Sequence, residues 1–372
     1  MNPINTTGLS FIVIGILFSL LFGYLAQKHR DTYRMMPEKS IKKEYKQSIL
    51  FMVLSCLAMW LPSALRYNVG IDNDGYQMQF NAMTQLSDAF VYYEPGYGLL
   101  CYMCKAWFND YQVMIFVTAM LTGGLMWRSI YKFSNNIVLC IIGCIAVNMY
   151  FMTFTVIRQF IAVAILINAI EFIKERKLWH FVCVVAFAAS FHYTALIFGV
   201  LYILYSESQK LLTWRNFVIL AGIFIFFTYI NVILGEAFTT LSALRDGYAT
   251  YEETDSTKNI VEIIFLFPVL LYALVYRNRL YSLNGINGVL SWVVIMLFVS
   301  KAIGMISPGL SRVHYYFVFC TPFMMSYSSK IRTGGINYLL PLVILVYYVL
   351  SIQNIFEYQW EDFLPYQSIL QK

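Results

Sequence analysis

Ten runs of 17 to 19 mostly apolar residues, separated by short polar segments, constrain this chain more than any other feature. A helix of about 20 apolar residues crosses the hydrocarbon core of a bilayer, which is about 30 Å thick. Only 12% of the residues are charged, about half the share in a typical soluble domain. The sequence therefore predicts an all-α polytopic membrane protein. The runs are residues 9–26, 48–65, 111–128, 136–152, 156–173, 216–234, 259–276, 286–304, 312–328 and 335–352.

The distribution of basic residues predicts how the chain is oriented. Residues 27–47 carry seven Lys and Arg, which favours a cytoplasmic loop and an N-terminus outside. The apolar stretch 178–205 is interrupted by the polar string SFHY at 190–193. Read as two arms of about 14 residues, each about 21 Å long, it is too short to cross twice. We therefore predict a short, re-entrant-like hairpin there, with about twelve helices in all and both termini outside.

The chain reads as a single transmembrane domain, residues 1–372, with outside loops at 66–110 and 235–258. Lys105 in the middle of residues 94–108 indicates an interfacial helix instead of a span. The seven cysteines lie mostly in apolar runs and are odd in number, so neither a disulfide framework nor a metal site is predicted. The net charge of +6 lies mainly in short loops and indicates no nucleic-acid partner.

Acids and a histidine form the first group of candidate functional residues. Asp72 and Asp74 lie two apart in the glycine-flanked string RYNVGIDNDGY, which is typical of a solvated loop and also of acids held near a ligand. Glu94 precedes Pro95, so it is either a helix-capping acid or a functional carboxylate. His192, at the predicted hairpin tip, suits a base or a phosphate partner, and its alternative is a hydrogen-bonded core histidine.

Cations near the predicted outer ends of helices form the second group. Arg158 and Gln159 open one helix in the string IRQFIA, and the five donors of a guanidinium suit a diphosphate. The alternative for this arginine is an anchor at the lipid headgroups. Lys301 precedes Arg312 and His314 of the string SRVHYYF, and interfacial anchoring is again the alternative.

Together these residues are more informative than any one of them. The predicted topology directs all of them to the outer side, where an anionic ligand explains so many cations. They are Arg66, Asp72, Asp74, Glu94, Arg158, His192, Lys301, Arg312 and His314.

The strings RYNVGIDNDGY, YEPGYGLL, IRQFIA and SFHYTAL, with SRVHYYF as a weaker fifth, resemble the EpsG-like branch of Wzy-type bacterial polysaccharide polymerases. They follow the family's order over roughly residues 60–320, with GID at 70–72 where the family has GTD. The resemblance implies a type C glycosyltransferase-like fold. It also implies an enzyme that, like an O-antigen polymerase, joins oligosaccharide repeat units carried on undecaprenyl diphosphate at the outer face of the bacterial inner membrane.

On this hypothesis the residues divide into two roles. The catalytic candidates, which would accept the proton of the attacking hydroxyl, are Asp72, Glu94 and His192. The substrate-binding candidates are Arg66, Asp74, Tyr76, Arg158, Gln159, Lys301, Arg312 and His314. No cofactor is predicted, and a divalent cation on the two aspartates is the alternative. The implied partners are undecaprenyl-diphosphate-linked oligosaccharide, membrane lipid, a flippase and a chain-length regulator.

The alternatives to this function are a flippase, a membrane O-acyltransferase and a ligase. A flippase or transporter of lipid-linked oligosaccharide favours charges in both leaflets and internal pseudo-symmetry, and the sequence has neither. A membrane O-acyltransferase would hold its histidine toward the cytoplasm, whereas His192 and His314 are predicted to face outside. A ligase that transfers finished glycans to another lipid shares this chemistry and stays open.

Overall fold

The computed structural model describes residues 6–37, 41–205, 213–223, 225–226, 229, 256–306, 308–331, 340–346, 349 and 366–371. Within these ranges the regular structure is helical, apart from an isolated antiparallel bridge between Arg66 and Ser368. The helices are α1 (Thr6–Met35), α2 (Ile41–Ala64), α3 (Asn73–Ala82), α4 (Leu86–Tyr92), α5 (Pro95–Phe108), α6 (Tyr111–Phe133), α7 (Ile137–Ala146), α8 (Met149–Thr155), α9 (Ile157–Lys174), α10 (Leu178–Ala189), α11 (Val200–Leu204), α12 (Trp214–Ile223), α13 (Ser256–Val275), α14 (Arg277–Leu283), α15 (Ile286–Ile306) and α16 (Cys320–Ser328). Three 3-10 segments accompany them: Tyr193–Gly199, Pro308–Tyr316 and Ile369–Gln371.

Long apolar helices confirm the predicted class of membrane protein, but not the predicted number of spans. Among the described residues, α1, α2, α6 and α15 are long and apolar enough to cross a bilayer. The pair α7 and α8 is bent by 52°, and the pair α13 and α14 by 72°. Counting each bent pair as one span gives six, half of the twelve expected.

The predicted span 312–328 is wrong as a continuous helix. The chain there forms the 3-10 segment Pro308–Tyr316, a turn, and then the nine-residue helix α16. All nine residues of α16 are buried inside the protein. Its apolar composition therefore reflects packing against other helices, which composition alone cannot tell from contact with lipid.

The predicted span 136–152 is divided into the short helices α7 and α8, whereas the predicted span 156–173 nearly coincides with α9. Asn148 adopts a left-handed conformation with φ 58°, and this separates α7 from α8. The 18 residues of α9 follow, and most of them are buried. Helix α9 packs against α6, α10 and α15, so it forms the centre of the bundle and its N-terminal end carries Arg158 into the protein.

The stretch 178–205 turns back on itself. The ring of Phe181 in α10 stacks on that of Tyr202 in α11 at 5.3 Å. Arg176 donates hydrogen bonds to the carbonyl oxygens of Tyr202 and Tyr205, at 2.8 and 3.1 Å. The beginning of α10 therefore lies beside the end of α11, in the geometry of a helical hairpin. How this hairpin lies in the membrane stays a prediction.

The region 66–110 was predicted as a loop with one interfacial helix, and it contains α3, α4 and α5. Helix α5 confirms the helix predicted at residues 94–108, while its interfacial position stays a prediction. The predicted loop 235–258 lies outside the described residues except for its last three positions, which begin α13. The predicted spans 216–234 and 335–352 are described only in part.

The two ends of the helices carry different polar groups. At the C-terminal ends of α6 and α9, Lys132 and Glu171 form an ion pair. The buried Arg30 of α1 donates to the carbonyl oxygens of Tyr131 and Asn135 nearby, at 2.7 and 2.6 Å. The N-terminal end of α9 lies at the opposite end of that helix, and it is there that the candidate site forms.

Candidate functional site

Glu94 is the residue on which the site converges. It precedes α5 as its N-cap, but its side chain makes no capping hydrogen bond. One carboxylate oxygen instead accepts a hydrogen bond from Arg158 Nη1 at 2.6 Å, and the other accepts one from His192 Nδ1 at 2.8 Å. The Glu94 side chain is only 6% exposed. A single buried carboxylate therefore links the start of α5, the start of α9 and the hairpin tip.

Charge pairing decides the ionisation of Glu94. Burial alone would raise the pKa of its carboxyl, but the hydrogen bond from His192 and the charge of Arg158 outweigh burial and lower this pKa to about 2. Glu94 is therefore ionised at neutral pH. A carboxylate with such a low pKa, with both oxygens already accepting hydrogen bonds, is suited to orienting its partners and is a poor proton acceptor.

Arg158 lies beside a pair of stacked tyrosine rings, Tyr76 and Tyr93, whose centroids are 6.1 Å apart. Its guanidinium carbon is 5.9 Å from the ring centroid of Tyr76 and 5.7 Å from that of Tyr93. Its Nε donates a long hydrogen bond of 3.4 Å to the Tyr76 hydroxyl. Tyr97 packs edge-on against Tyr93 at 4.9 Å. Because aromatic faces attract a guanidinium, these rings hold the Arg158 fork in one orientation.

The hairpin tip is fixed against the start of α5. The carbonyl oxygen of Ser190 accepts hydrogen bonds from the backbone N–H groups of Gly96 at 2.7 Å and Tyr97 at 3.3 Å. A Cβ atom added to Gly96 would lie 2.2 Å from Ser190 Oγ, so only glycine permits this approach. His192 follows two residues later and thereby reaches Glu94.

Asp72 and Arg312 form the other side of the site. Asp72 is half-buried at the N-cap of α3, and its side chain makes no capping bond. Burial raises the pKa of the Asp72 carboxyl, although the charges of Arg312 and Arg158 act in the opposite direction. Arg312 is exposed, and its carbonyl oxygen accepts a hydrogen bond of 2.8 Å from Gln159 Nε2. Gln159 therefore ties the Arg312 segment to α9 beside Arg158.

Lys301 and His314 lie close to the Arg312 segment. Lys301 in α15 is 5% exposed and interacts electrostatically with His314. His314 Nδ1 donates to the carbonyl oxygen of Ser311 at 2.5 Å, and its ring lies 4.2 Å from that of Tyr315. Burial and the charge of Lys301 lower the pKa of His314, which favours a neutral ring instead of the predicted cation. The role of Lys301 and His314 in substrate binding stays a prediction.

The hydrogen bonds of Arg66 and Asp74 are with residues other than Glu94, Arg158 and His192. Arg66 is 2% exposed, and its guanidinium donates to the carbonyl oxygens of Ser63 at 2.6 Å and Phe154 at 3.4 Å. These bonds stabilise the loop after α2 and leave this guanidinium turned away from solvent. Asp74 is exposed and accepts only a long bond of 3.4 Å from Asn73.

The divalent-cation alternative on Asp72 and Asp74 stays a prediction. Within the described ranges, no group of three or more His, Cys, Asp and Glu side chains has the arrangement of a metal site. Asp72 and Asp74 offer two carboxylates, and Mg²⁺ is usually held by one or two carboxylates together with water and substrate phosphates. We derive no step through a cation.

Several residues of the site escape sequence reasoning. Tyr93, Tyr97 and Gly96 all lie in the string that contains Glu94, and the tyrosine spacing around that glutamate is the signal that could have found them. Tyr316 also belongs here, since it interacts electrostatically with Glu94 and Arg158. Its hydroxyl lies 2.9 Å from Thr194 Oγ1, which joins the two long 3-10 segments. No sequence signal distinguishes Tyr316 from the other tyrosines.

Comparison with known proteins gives one match. A family model described as the EpsG family matches residues 49–368. This range contains every predicted site residue and the whole of the geometry described above. No curated protein and no solved structure matches the chain.

Proposed function

Because this chain belongs to the EpsG family, we propose that it is a membrane glycosyltransferase that polymerises lipid-linked oligosaccharide repeat units. Undecaprenyl diphosphate is the leaving group, and the site faces outward from the bacterial inner membrane. The observation that carries this proposal is the convergence of Arg158, Arg312 and Asp72 around one half-buried site, with Glu94 fixing the first arginine. Two guanidinium groups beside a carboxylate suit a reaction in which a diphosphate leaves and a hydroxyl loses its proton.

The reaction exchanges one bond for another. A hydroxyl oxygen of the incoming repeat unit attacks the anomeric carbon of the growing chain, and a new C–O bond forms. The C–O bond to the diphosphate breaks, and its electron pair stays on the departing oxygen. The hydroxyl proton passes to a base of the protein. The products are a chain one repeat unit longer and a free lipid diphosphate.

Arg158 and Arg312 would stabilise the departing diphosphate. Arg158 is held by Glu94 and by the faces of Tyr76 and Tyr93, so its fork is oriented before substrate arrives. Arg312 is exposed on a segment that Gln159 holds next to α9. Donors fixed in this way lower the energy of developing charge without reorganising during the reaction. Gln159 itself would position Arg312 and not contact substrate.

Asp72 would be the proton acceptor. Of the three catalytic candidates, Glu94 has its oxygens occupied and a pKa lowered to about 2. The raised pKa of Asp72 brings its carboxylate closer to the strength that a general base needs. His192 donates its Nδ1–H to Glu94, so Nε2 is the acceptor nitrogen of the neutral ring. We assign His192 to holding the acceptor sugar through that nitrogen.

Reconstitution tests this function against its alternatives. The protein is placed in proteoliposomes with purified lipid-linked repeat unit, and products are separated by gel electrophoresis while lipid diphosphate is quantified. A polymerase gives a ladder of lengths, with one lipid diphosphate released per bond formed. A ligase gives a single transfer to a second lipid, and a flippase moves the substrate without lengthening it. Either of those two patterns in place of the ladder contradicts the proposal.

Gly96 offers a test of the contact between α5 and the hairpin tip. The methyl group of Gly96→Ala would lie 2.2 Å from Ser190 Oγ and 3.0 Å from the Ser190 Cβ and carbonyl oxygen, so both the hydroxyl and the backbone of Ser190 must shift. We expect this shift to disturb the bond between His192 and Glu94. We expect polymer synthesis to fall by about 100-fold, since displacements of about 1 Å cost this much. The matched control is Gly124→Ala, a helical position with no atom within 4 Å of the added Cβ. Equal polymer yields from the two variants would show that this contact is not needed.

A further inference from the structure

A segment near the C-terminus pairs with the loop that leads from α2 to Asp72. The backbone N–H of Ile369 donates to the carbonyl oxygen of Leu65 at 2.9 Å, and the N–H of Tyr67 donates to the carbonyl oxygen of Gln367 at 2.8 Å. Arg66 and Ser368 face each other in the antiparallel bridge between these bonds. We call residues 366–369 the C-terminal strap.

The strap is also anchored by a side chain. The Tyr366 hydroxyl donates to the carbonyl oxygen of Pro62, 304 residues away in sequence, at 2.6 Å. The Tyr366 ring is fully buried and lies 6.0 Å from that of Phe11. Ser368 is buried as well. The strap is therefore part of the packed protein at the C-terminal end of α2.

The loop from Leu65 to Asp72 is also held at points other than the strap. Gln112 Nε2 donates to the carbonyl oxygen of Arg66 at 2.9 Å. Gly70 has φ +112°, and a Cβ added there would lie 2.6 Å from the carbonyl oxygen of Phe154. Phe154 precedes α9, so the loop is fitted against the helix that carries Arg158. The strap adds two backbone hydrogen bonds at the start of this loop, to Leu65 and from Tyr67.

We infer that the C-terminal strap is a positioning element for the reaction, which holds the Asp72 carboxylate at its place beside Arg158 and Arg312. The inference rests on the proposed function for the role of Asp72. The backbone pairing of the strap with residues 65–67 is a feature of the structure and does not depend on that function. The family match extends to residue 368, so it includes Tyr366 and Ser368 of the strap. A strap that acts through Asp72 affects the rate of bond formation more than the binding of the diphosphate, which the arginines provide.

Two substitutions at Ile369 separate the effect of its backbone hydrogen bond from the effect of its side chain. Ile369→Pro removes the N–H that bonds Leu65, and proline fits this position because Ile369 opens the 3-10 segment Ile369–Gln371. Ile369→Ala keeps the N–H and is the matched control. Tyr366→Phe is a milder second variant, since it removes only the hydroxyl that bonds Pro62.

Two measurements are made on each variant in proteoliposomes. Hydrogen–deuterium exchange of residues 65–72 is expected to rise in Ile369→Pro and to stay at the wild-type level in Ile369→Ala. With lipid-linked repeat unit as substrate, kcat is expected to fall roughly 10- to 100-fold in Ile369→Pro, with KM changed by less than about twofold. Tyr366→Phe should shift both quantities in the same direction by a smaller amount.

The exchange measurement and the kinetic measurement together distinguish a failure of the inference from a failure of the proposed function. Unchanged exchange and unchanged kcat in Ile369→Pro would overturn the inference. A loss of kcat matched by an equal rise in KM would overturn the role through Asp72. If wild-type protein makes no polymer at all, the proposed function fails, and the positioning role fails with it. The exchange measurement then still decides whether the strap fixes the loop.

Discussion

Arg158→Ala is expected to reduce polymer synthesis by about 1,000-fold, while single lipid-linked repeat units accumulate. Arg158 bonds Glu94, donates to the Tyr76 hydroxyl and lies over the rings of Tyr76 and Tyr93, and the substitution removes all of these contacts at once. Polymer is measured in cells and in proteoliposomes by gel electrophoresis. Arg158→Lys should recover only part of the activity, since an ammonium keeps the charge but lacks the planar fork.

A control must show that the loss comes from chemistry and not from unfolding. Arg128→Ala is the matched variant, because Arg128 is exposed in α6 toward the opposite end and bonds Asn168. It should retain nearly wild-type synthesis. Thermal unfolding of both variants in detergent reports their stability. An Arg158→Ala protein that still makes long polymer, within about threefold of wild type, would contradict the assignment of this arginine to the leaving group.

Asp72→Asn is expected to lower kcat by 10²- to 10⁴-fold, with KM for the lipid-linked substrate little changed. Asparagine keeps the shape of the side chain and removes its capacity to accept a proton. The wild-type enzyme should lose activity as pH falls through the pKa of Asp72, because a base works only when deprotonated. Burial raises this pKa above its ordinary value of 3.8, so the loss begins at a higher pH than for an exposed aspartate.

The pH profiles of two variants distinguish the proton acceptor. With Asp72 as the base, the acidic limb of kcat disappears in Asp72→Asn and persists in His192→Gln. His192→Gln should instead raise KM for the acceptor repeat unit, since His192 is assigned to holding that sugar. An acidic limb that survives in Asp72→Asn and vanishes in His192→Gln would make His192 the base.

The sequence predicted a common side for Arg158 and His192 but not the contacts that bring them together. The shared side of Arg158 and His192 follows from topology and motif order. The bonds through Glu94 do not, because Glu94 is 64 residues from Arg158 and 98 from His192. Pairing across such distances depends on how three helical segments pack. The burial of Arg66 was unpredictable for the same reason, since its partners are backbone carbonyl oxygens of Ser63 and Phe154.

The fold was predicted in class, whereas the described residues do not confirm the twelve predicted spans. Hydropathy detects apolar side chains, but it cannot tell whether lipid or protein surrounds them. Helix α16 is apolar because it is buried in the core, so it was included in a predicted span although it has only nine residues. The C-terminal strap was missed entirely. Two backbone hydrogen bonds define it, and backbone pairing between distant segments leaves no pattern in a single sequence.

The most direct test of this account is an experimental structure of the protein with a bound prenyl diphosphate in a lipid nanodisc. We expect the phosphates to lie within hydrogen-bonding distance of the Arg158 and Arg312 side chains, with Asp72 on the sugar side of the diphosphate. Glu94 should still accept a hydrogen bond from His192. Two results would contradict the proposed site. One is a diphosphate bound at the other end of the helices, beside Arg30 and Lys132, and the other is a bound state in which Arg158 and Arg312 do not contact the same diphosphate.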